Sequence, residues 1–142
     1  MKNILIIAIL FLASCGGGSN NLEQFEYGLV GNYELIQVRG SGFNVSHVEG
    51  ETRLGELLLQ DDHTYQKRFN GDAFDALGYA LEAGNWSATL STITFDDATN
   101  AWDSNNANGT GPDIGEYLYI DDFENDTYYV WLKIARAPSN GN

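Results

Sequence analysis

Residues 116–134 read EYLYIDDFENDTYYVWLKI, and they predict a β-hairpin more clearly than any other stretch of the chain. Two runs rich in aromatic and aliphatic residues flank the acidic turn at residues 121–126, which is the pattern of two antiparallel strands. Side chains alternate between the two faces of a strand, so the hairpin has an aliphatic face and an aromatic face. The aliphatic face comprises Leu118, Ile120, Val130, Leu132 and Ile134, and the aromatic face comprises Tyr117, Tyr119, Tyr129 and Trp131. We expect the aliphatic face to be core and the aromatic face to be exposed or covered by another segment.

The rest of the chain repeats this pattern in shorter runs. Aromatic residues make up 13% of the chain, which has 16 glycines and 2 prolines. The apolar residues form short clusters separated by Gly, Asn and Asp rather than helical stripes, which predicts an all-β domain. One helical turn is predicted at residues 72–77, and a short strand with a loop at residues 43–53. The other strands are predicted at residues 29–39, 54–60, 64–69, 79–88 and 92–95.

One polar stretch interrupts the pattern. Residues 96–113 are rich in Asn, Asp, Gly and Thr, with the single aromatic residue Trp102. We predict that this stretch is too polar to pack as a strand, and it is long for a connection in a compact domain. It is either a functional loop or a mobile connection.

The first residues are typical of a secretory signal, since Lys2 precedes an apolar run at residues 4–13. The run is too short to cross a bilayer as a mature helix, which needs about 20 apolar residues. The sequence Leu12-Ala13-Ser14-Cys15 resembles the lipobox of bacterial lipoproteins. That resemblance implies that residues 1–14 are a removed signal peptide and that Cys15 is lipidated. Because Cys15 is the chain's one cysteine, we expect no disulfide.

The residues after the lipobox suggest a spacer. Residues 16–21 read GGGSNN, a composition without a preferred backbone geometry, and we expect residues 15–27 to be the lipidated cysteine and a flexible tether. Glycine rather than aspartate after Cys15 resembles lipoproteins passed to the outer membrane of Gram-negative cells. This implies a lipid-anchored protein of the cell envelope, facing either the periplasm or the cell surface.

The chain is strongly acidic, with 20 acidic and 7 basic residues and a formal net charge of −13. Without residues 1–14, which contain Lys2 and no acidic residue, the charge would be −14. Such a chain repels the phosphates of nucleic acids and anionic lipid head groups. We therefore expect no nucleic acid partner. We expect the protein to contact the membrane through lipidated Cys15 and to be a monomer.

Two short motifs, Gly31-Asn32-Tyr33 and Gly84-Asn85-Trp86, begin or lie within predicted strands. A glycine, any residue and a large aromatic residue near the start of the first strand is similar to the opening motif of lipocalins. Together with the lipobox and the tether, the series of strands resembles the small lipocalin-like lipoproteins of bacteria. The resemblance implies an up-and-down antiparallel barrel of about eight strands at residues 28–137, before a disordered tail at residues 138–142. It also places Tyr33 and Trp86 at the barrel floor, with Gly31 in the end motif and Arg136 closing the barrel near Tyr33.

A barrel of this size is filled by its own side chains or holds one small ligand. Our leading hypothesis is a lipid-anchored barrel that binds a small lipophilic molecule, apolar or amphipathic, and a filled core is the alternative. A surface module for carbohydrate or protein, which uses the aromatic face and residues 96–113, is the second hypothesis. A structural or inhibitory envelope lipoprotein is the third. The residues predicted to line the cavity are Leu35, Leu58, Tyr65, Trp86, Phe95, Leu118, Val130 and Leu132.

The sequence contains no recognisable arrangement of catalytic residues. His47 and His63 are not spaced as a metal-binding pair, and no serine stands in a nucleophile motif. The carboxylates at residues 121–126 could gather a hard cation, but Asp is ordinary in turns. We therefore expect no enzyme activity, no cofactor and no metal site.

Overall fold

The computed structural model describes residues 22–106 and 111–137, which form nine strands and two helices. The strands are β1 (Gly31–Gly40), β2 (Phe43–Ser46), β3 (Gly55–Leu59), β4 (Thr64–Phe69), β5 (Leu81–Ala88), β6 (Thr92–Phe95), β7 (Ala98–Ser104), β8 (Tyr117–Asp122) and β9 (Thr127–Ala135). The helices are α1 (Gln24–Leu29) and α2 (Gly71–Leu77). The predicted signal peptide, Cys15 and the tail at residues 138–142 lie outside the described residues.

Eight of the strands close into an antiparallel barrel. Strands β3 to β9 each pair with the next in chain order, and β1 joins the two ends of this series by pairing with β3 and β9. The short strand β2 pairs with the end of β1 that lies beyond β3. The predicted all-β fold, an up-and-down antiparallel barrel, is confirmed.

Alternate side chains along each strand point into the barrel and form one core. In β4, Tyr65, Lys67 and Phe69 are buried while Gln66 and Arg68 are exposed, as the alternation predicts. One end of the barrel, which we call the closed end because α1 covers it, carries α1 and the turns β3–β4 and β5–β6. The open end carries α2, the turns β6–β7 and β8–β9, and the start of β2.

The register of the β8–β9 hairpin differs from the prediction. Leu118 pairs with Trp131 and Ile120 pairs with Tyr129, so these four residues share the inner face. Four residues, 123–126, join the strands, and this even number places odd-numbered residues of β9 opposite even-numbered residues of β8. The prediction of an aliphatic core face is confirmed for β8 and is wrong for β9. There the aliphatic residues lie half-buried on the outer face, namely Val130, Leu132 and Ile134.

Strand β7 lies within the stretch that was predicted to be too polar for a strand. Its inward residues Asn100 and Trp102 are buried with their polar atoms satisfied. Asn100 Nδ2 donates to the carbonyl oxygen of Ala98 at 3.2 Å, and Trp102 Nε1 donates to that of Thr89 at 2.9 Å. The prediction is wrong because a polar side chain can be buried at little cost once its hydrogen bonds are made.

Helix α1 corrects the predicted boundary between the tether and the barrel. Leu22 and Leu29 belong to the buried core, and Glu26 is 4% exposed. The packed domain therefore begins at Leu22, because burial of Leu22 and Leu29 at the closed end removes their apolar surface from water. Neither described helix has the length and apolar character that crossing a membrane requires.

Candidate functional site

A cavity of about 650 Å3 lies at the open end of the barrel. Phe95, Ile120 and Trp131 contribute apolar wall from three different strands. Leu77 of α2 and Phe43 of β2 also border the cavity, so both elements outside the barrel wall help to form it. One basic and two acidic side chains line the same space, and they are Lys67, Glu82 and Asp122.

Lys67 places an ammonium group inside the barrel. It points inward because it stands between Tyr65 and Phe69 in the alternation of β4, and it is 8% exposed. Its Nζ atom lies 3.4 Å from Oε1 of Glu82 and 3.7 Å from the ring centroid of Phe95. Burial lowers the pKa of Lys67 below its ordinary value, and the nearby carboxylates, first of all Glu82, oppose that shift. The cavity thus holds an ammonium between a carboxylate and an aromatic face.

Glu82 and Asp96 share the hydroxyl group of Tyr65. That hydroxyl donates to Glu82 Oε1 at 2.6 Å and lies 3.2 Å from Asp96 Oδ2. Burial and these two carboxylates raise the pKa of Tyr65, so the phenol keeps its proton. Gly84 makes the arrangement fit, since a Cβ atom there would lie 2.2 Å from Asp96 Oδ1. A steric requirement therefore explains the glycine of the Gly84-Asn85-Trp86 motif.

Aromatic rings surround the polar groups of the cavity. Tyr129 stacks on Trp131 with ring centroids 6.0 Å apart, and Tyr79 contacts the edge of Phe69 at 5.1 Å. Burial raises the pKa of Tyr79 and of Tyr129, so both phenols are neutral near pH 7. The Nε1 atom of Trp131 is buried and has no hydrogen-bond partner among the described residues.

The predicted lining residues fall into three groups. Phe95 lines the cavity, whereas Leu35, Tyr65, Trp86 and Leu118 are buried in the core without being part of the cavity lining. The other three predicted residues are Leu58, Val130 and Leu132. The prediction that they line the interior is wrong, because the alternation of each strand places them on the outer face. The sequence pattern did not predict that Lys67, Glu82 and Asp122 line the cavity. The inward alternation of Lys67 with Tyr65 and Phe69 was the one available signal.

The closed end has its own polar contacts. Tyr33 is fully buried and its hydroxyl donates to the carbonyl oxygen of Leu29. Lys133 Nζ lies 5.7 Å from the Tyr33 ring centroid, and it donates to the carbonyl oxygens of Gly28 and Pro112 at 2.7 and 2.9 Å.

The closing cation at this end is Lys133, and the prediction that Arg136 fills this role is wrong. Arg136 is exposed and lies three residues after Lys133, where the inward series of β9 reaches the end of the barrel. Gly31 makes room for the lysine, because a Cβ atom there would lie 2.5 Å from Lys133 Cε.

Replacing Lys133 with methionine is expected to lower the free energy of unfolding by about 1 to 3 kcal/mol, because two buried carbonyl oxygens lose their donor.

The replacement should also change the pH dependence of stability. Burial lowers the pKa of Lys133 to about 8 from 10.5. Above pH 8, the unfolded chain therefore holds a proton that the folded chain has released, and wild-type stability rises with pH towards 10.5.

Urea unfolding of the wild type and of Lys133→Met between pH 7.5 and 9.5 measures this difference. The variant is expected to lack the part of the rise that belongs to Lys133. Parallel pH profiles for the two proteins would contradict the assignment of this titration to Lys133.

The predicted aromatic surface is divided between the two sides of the barrel wall. Tyr129 and Trp131 face inward, and the prediction that they share a face with Tyr117 and Tyr119 is wrong. On the outer side, Tyr119 stacks on Tyr128 with centroids 6.3 Å apart. The guanidinium carbon of Arg39 lies over the ring of Tyr128, 4.4 Å from its centroid.

Within residues 22–106 and 111–137, no group of three or more His, Cys, Asp or Glu side chains is arranged to hold a metal ion. His63 lies 3.2 Å from Glu26 at the closed end, and His47 lies 3.7 Å from Glu34. Comparison of the chain with protein-family models, with curated proteins and with solved structures found no match.

Proposed function

We propose that this protein is a lipid-anchored, lipocalin-like envelope protein that binds a small amphipathic ligand in the open end of its barrel. The observation that carries the proposal is the cavity of about 650 Å3, which lies within the range of about 300 to 1,000 Å3 that ligand pockets occupy. Its lining combines apolar rings with a few polar groups, which is the composition of a small-molecule site.

The two ends of the barrel differ in a way that supports this function. At the closed end, α1, Trp86 and Lys133 fill the interior with packed and hydrogen-bonded groups. At the open end, Leu77 of α2 and Phe43 at the start of β2 border the cavity. A ligand would therefore enter at the open end and rest on the rings of Phe95 and Trp131.

We further propose that the protein binds its ligand without transforming it. The cavity's ammonium is already paired, since Lys67 contacts Glu82, and the phenol of Tyr65 is engaged by two carboxylates. These contacts hold both groups in place, where they can orient a ligand. Lipidation of Cys15 would keep the binding domain at a membrane, which fits a carrier or capture protein.

The proposal is tested first by native mass spectrometry on the protein purified from an expressing Gram-negative host. The expected mass is that of a chain beginning at Cys15 and increased by lipid, with a small molecule retained on a fraction of the protein. A chain that keeps residues 1–14, or that carries no lipid, would contradict the anchor.

Filling the cavity provides the second test, in the chain from residue 15 with Cys15→Ser so that no lipid is attached. Ala98 lines the cavity, whereas Ala83 is exposed on the outer face of β5. The neutral fluorescent probe N-phenyl-1-naphthylamine is expected to bind Ala98→Phe at least tenfold more weakly than the wild type. The matched variant Ala83→Phe should bind it unchanged. Equal affinity in all three proteins would show that the probe binds elsewhere.

One observation counts against the alternative, a surface module that binds carbohydrate through the aromatic face. Two of its four rings, Tyr129 and Trp131, are inside the barrel. On the outside, the ring of Tyr128 lies next to the ring of Tyr119 and under the guanidinium of Arg39.

A further inference from the structure

The ionisable groups of the cavity are mainly acidic. Among the described residues, Lys67 is the one cation that lines it, and Glu82 and Asp122 are the two carboxylates that do. Asp96 lies just behind them, bonded to the hydroxyl of Tyr65. All three carboxylates act electrostatically on Lys67. With the lysine charged, this group of four residues carries a net charge of about −2 in a partly desolvated space, where charge interactions are stronger than in water.

Asp122 is the carboxylate without a cation. Glu82 is paired with Lys67 at 3.4 Å. Within the described part of the chain, no lysine, arginine or histidine nitrogen forms an ion pair with Asp122. Its two oxygens accept hydrogen bonds from Asn125, at 3.2 Å from the backbone nitrogen and 2.8 Å from Nδ2. These bonds hold the carboxylate at the mouth of the cavity and leave its negative charge uncompensated.

Aromatic rings contact the ammonium of Lys67 in a way that a cationic ligand could share. Lys67 Nζ lies over the ring of Phe95 at 3.7 Å and near the ring of Tyr65 at 5.5 Å. Aromatic faces attract cations through their quadrupole, most strongly when water is excluded. The rings of Tyr79, Tyr129 and Trp131 line the same cavity on the side of Asp122 and offer further faces of this kind.

We infer that the cavity selects amphipathic molecules with a positively charged head group, of the alkylammonium class, over anionic and neutral molecules of the same chain length. The inference rests on the proposed function and names its ligand class. The cationic head group would lie between Asp122 and the rings of Tyr79 and Tyr129, with its alkyl chain directed towards Phe95 and Trp131. An anionic head group would have to displace Glu82 from Lys67 and would remain close to Asp122. The net charge of −13 for the whole chain favours the approach of cations.

The test uses three probes with one ten-carbon chain, namely decyltrimethylammonium, 1-decanol and decanoate. Each is titrated below its micelle-forming concentration into the chain from residue 15 with Cys15→Ser, and affinity is measured by calorimetry. Decyltrimethylammonium is expected to bind at least tenfold more tightly than decanoate, with 1-decanol between them. This advantage should shrink when salt is raised, because a charge at the cavity mouth is partly screened.

Two matched variants locate the selectivity. Asp122→Asn keeps an acceptor for Asn125 and removes the charge, and it should weaken decyltrimethylammonium binding at least threefold while leaving 1-decanol unchanged. Asp103→Asn removes the same charge from an exposed position of β7 and should change neither.

Each outcome separates the inference from the proposed function. Decanoate binding as tightly as decyltrimethylammonium would overturn the charge selectivity and leave ligand binding in place. Equal weakening in both variants would overturn the role of Asp122, because the attraction would then come from the total charge. Failure of all three probes to bind would overturn the proposed function itself.

Discussion

Replacing Trp86 with alanine is expected to lower the free energy of unfolding by about 3 to 5 kcal/mol, the usual cost of removing a large aromatic side chain from a core. Trp86 is 2% exposed at the closed end of the barrel. Its Nε1 atom donates to the carbonyl oxygen of Gln60 at 2.9 Å, and its ring lies 5.4 Å from that of His63. The alanine variant would lose the buried area, leave a void, and remove one of the two donors to the Gln60 carbonyl, which keeps the backbone N–H of His63 at 3.2 Å.

Urea unfolding followed by circular dichroism measures this effect without relying on tryptophan fluorescence. Phe123→Ala is the matched control, since Phe123 is 67% exposed in the β8–β9 turn, and a surface change of this kind alters stability by less than about 0.5 kcal/mol. Trp86→Phe should fall between the two, because it keeps a ring and loses the hydrogen bond. An unfolding midpoint of Trp86→Ala equal to that of the wild type would remove Trp86 from the core.

Replacing Glu26 with alanine is expected to cost about 2 to 4 kcal/mol, because its buried carboxylate accepts several hydrogen bonds. Oε2 accepts from the backbone nitrogen of Glu23 at 3.0 Å and lies 3.2 Å from His63 Nε2. Oε1 accepts from the backbone nitrogen of Ala88 at 3.1 Å. One side chain thus attaches α1 to the β3–β4 turn and to the end of β5, and alanine can replace none of these contacts.

Hydrogen exchange gives a local measurement for this variant. The amide of Ala88 is expected to exchange much faster in Glu26→Ala, while amides at the open end change only through the global loss of stability. Glu124→Ala, in the exposed β8–β9 turn, removes the same charge and should leave the Ala88 amide protected. Unchanged protection of Ala88 in Glu26→Ala would show that α1 is held by other contacts.

Several features of the barrel follow from local sequence patterns. The alternation of Tyr65, Lys67 and Phe69 is consistent with the inner face of β4, and both large aromatic residues of the two Gly-Asn-aromatic motifs, Tyr33 and Trp86, are buried. These predictions succeed because a strand's two faces are set by a repeat of two residues.

The assignment of β9 shows where local patterns become insufficient. Both faces of β9 are apolar, since Tyr129 and Trp131 alternate with Val130 and Leu132. Hydrophobicity alone cannot choose between two apolar faces. The turn decides, and the predicted six-residue turn 121–126 is even like the observed one, so it already paired even-numbered residues of β8 with odd-numbered residues of β9 and did not fit the predicted aliphatic face. The structure places the four residues 123–126 in that turn, which brings the aromatic side chains into the barrel.

Strand β7 was missed for a related reason. Its inward positions include Asn100, which is buried by bonding to the carbonyl oxygens of Ile93 and Ala98. Composition counts Asn as polar whatever its partners are. The acceptors become visible only when the neighbouring strand is in place.

The sequence by itself determined an acidic, all-β chain whose strands alternate inward and outward, because those properties depend on composition and on neighbours a few residues apart. Only the tertiary structure decided which charges meet. Lys67, Glu82 and Asp122 come from three strands, up to 55 residues apart in the chain, and they converge because closure of the barrel carries every inward side chain of the open end to one space. The same closure placed Lys133 rather than Arg136 beneath Tyr33, since the register between β1 and β9 determines which side chain reaches that ring.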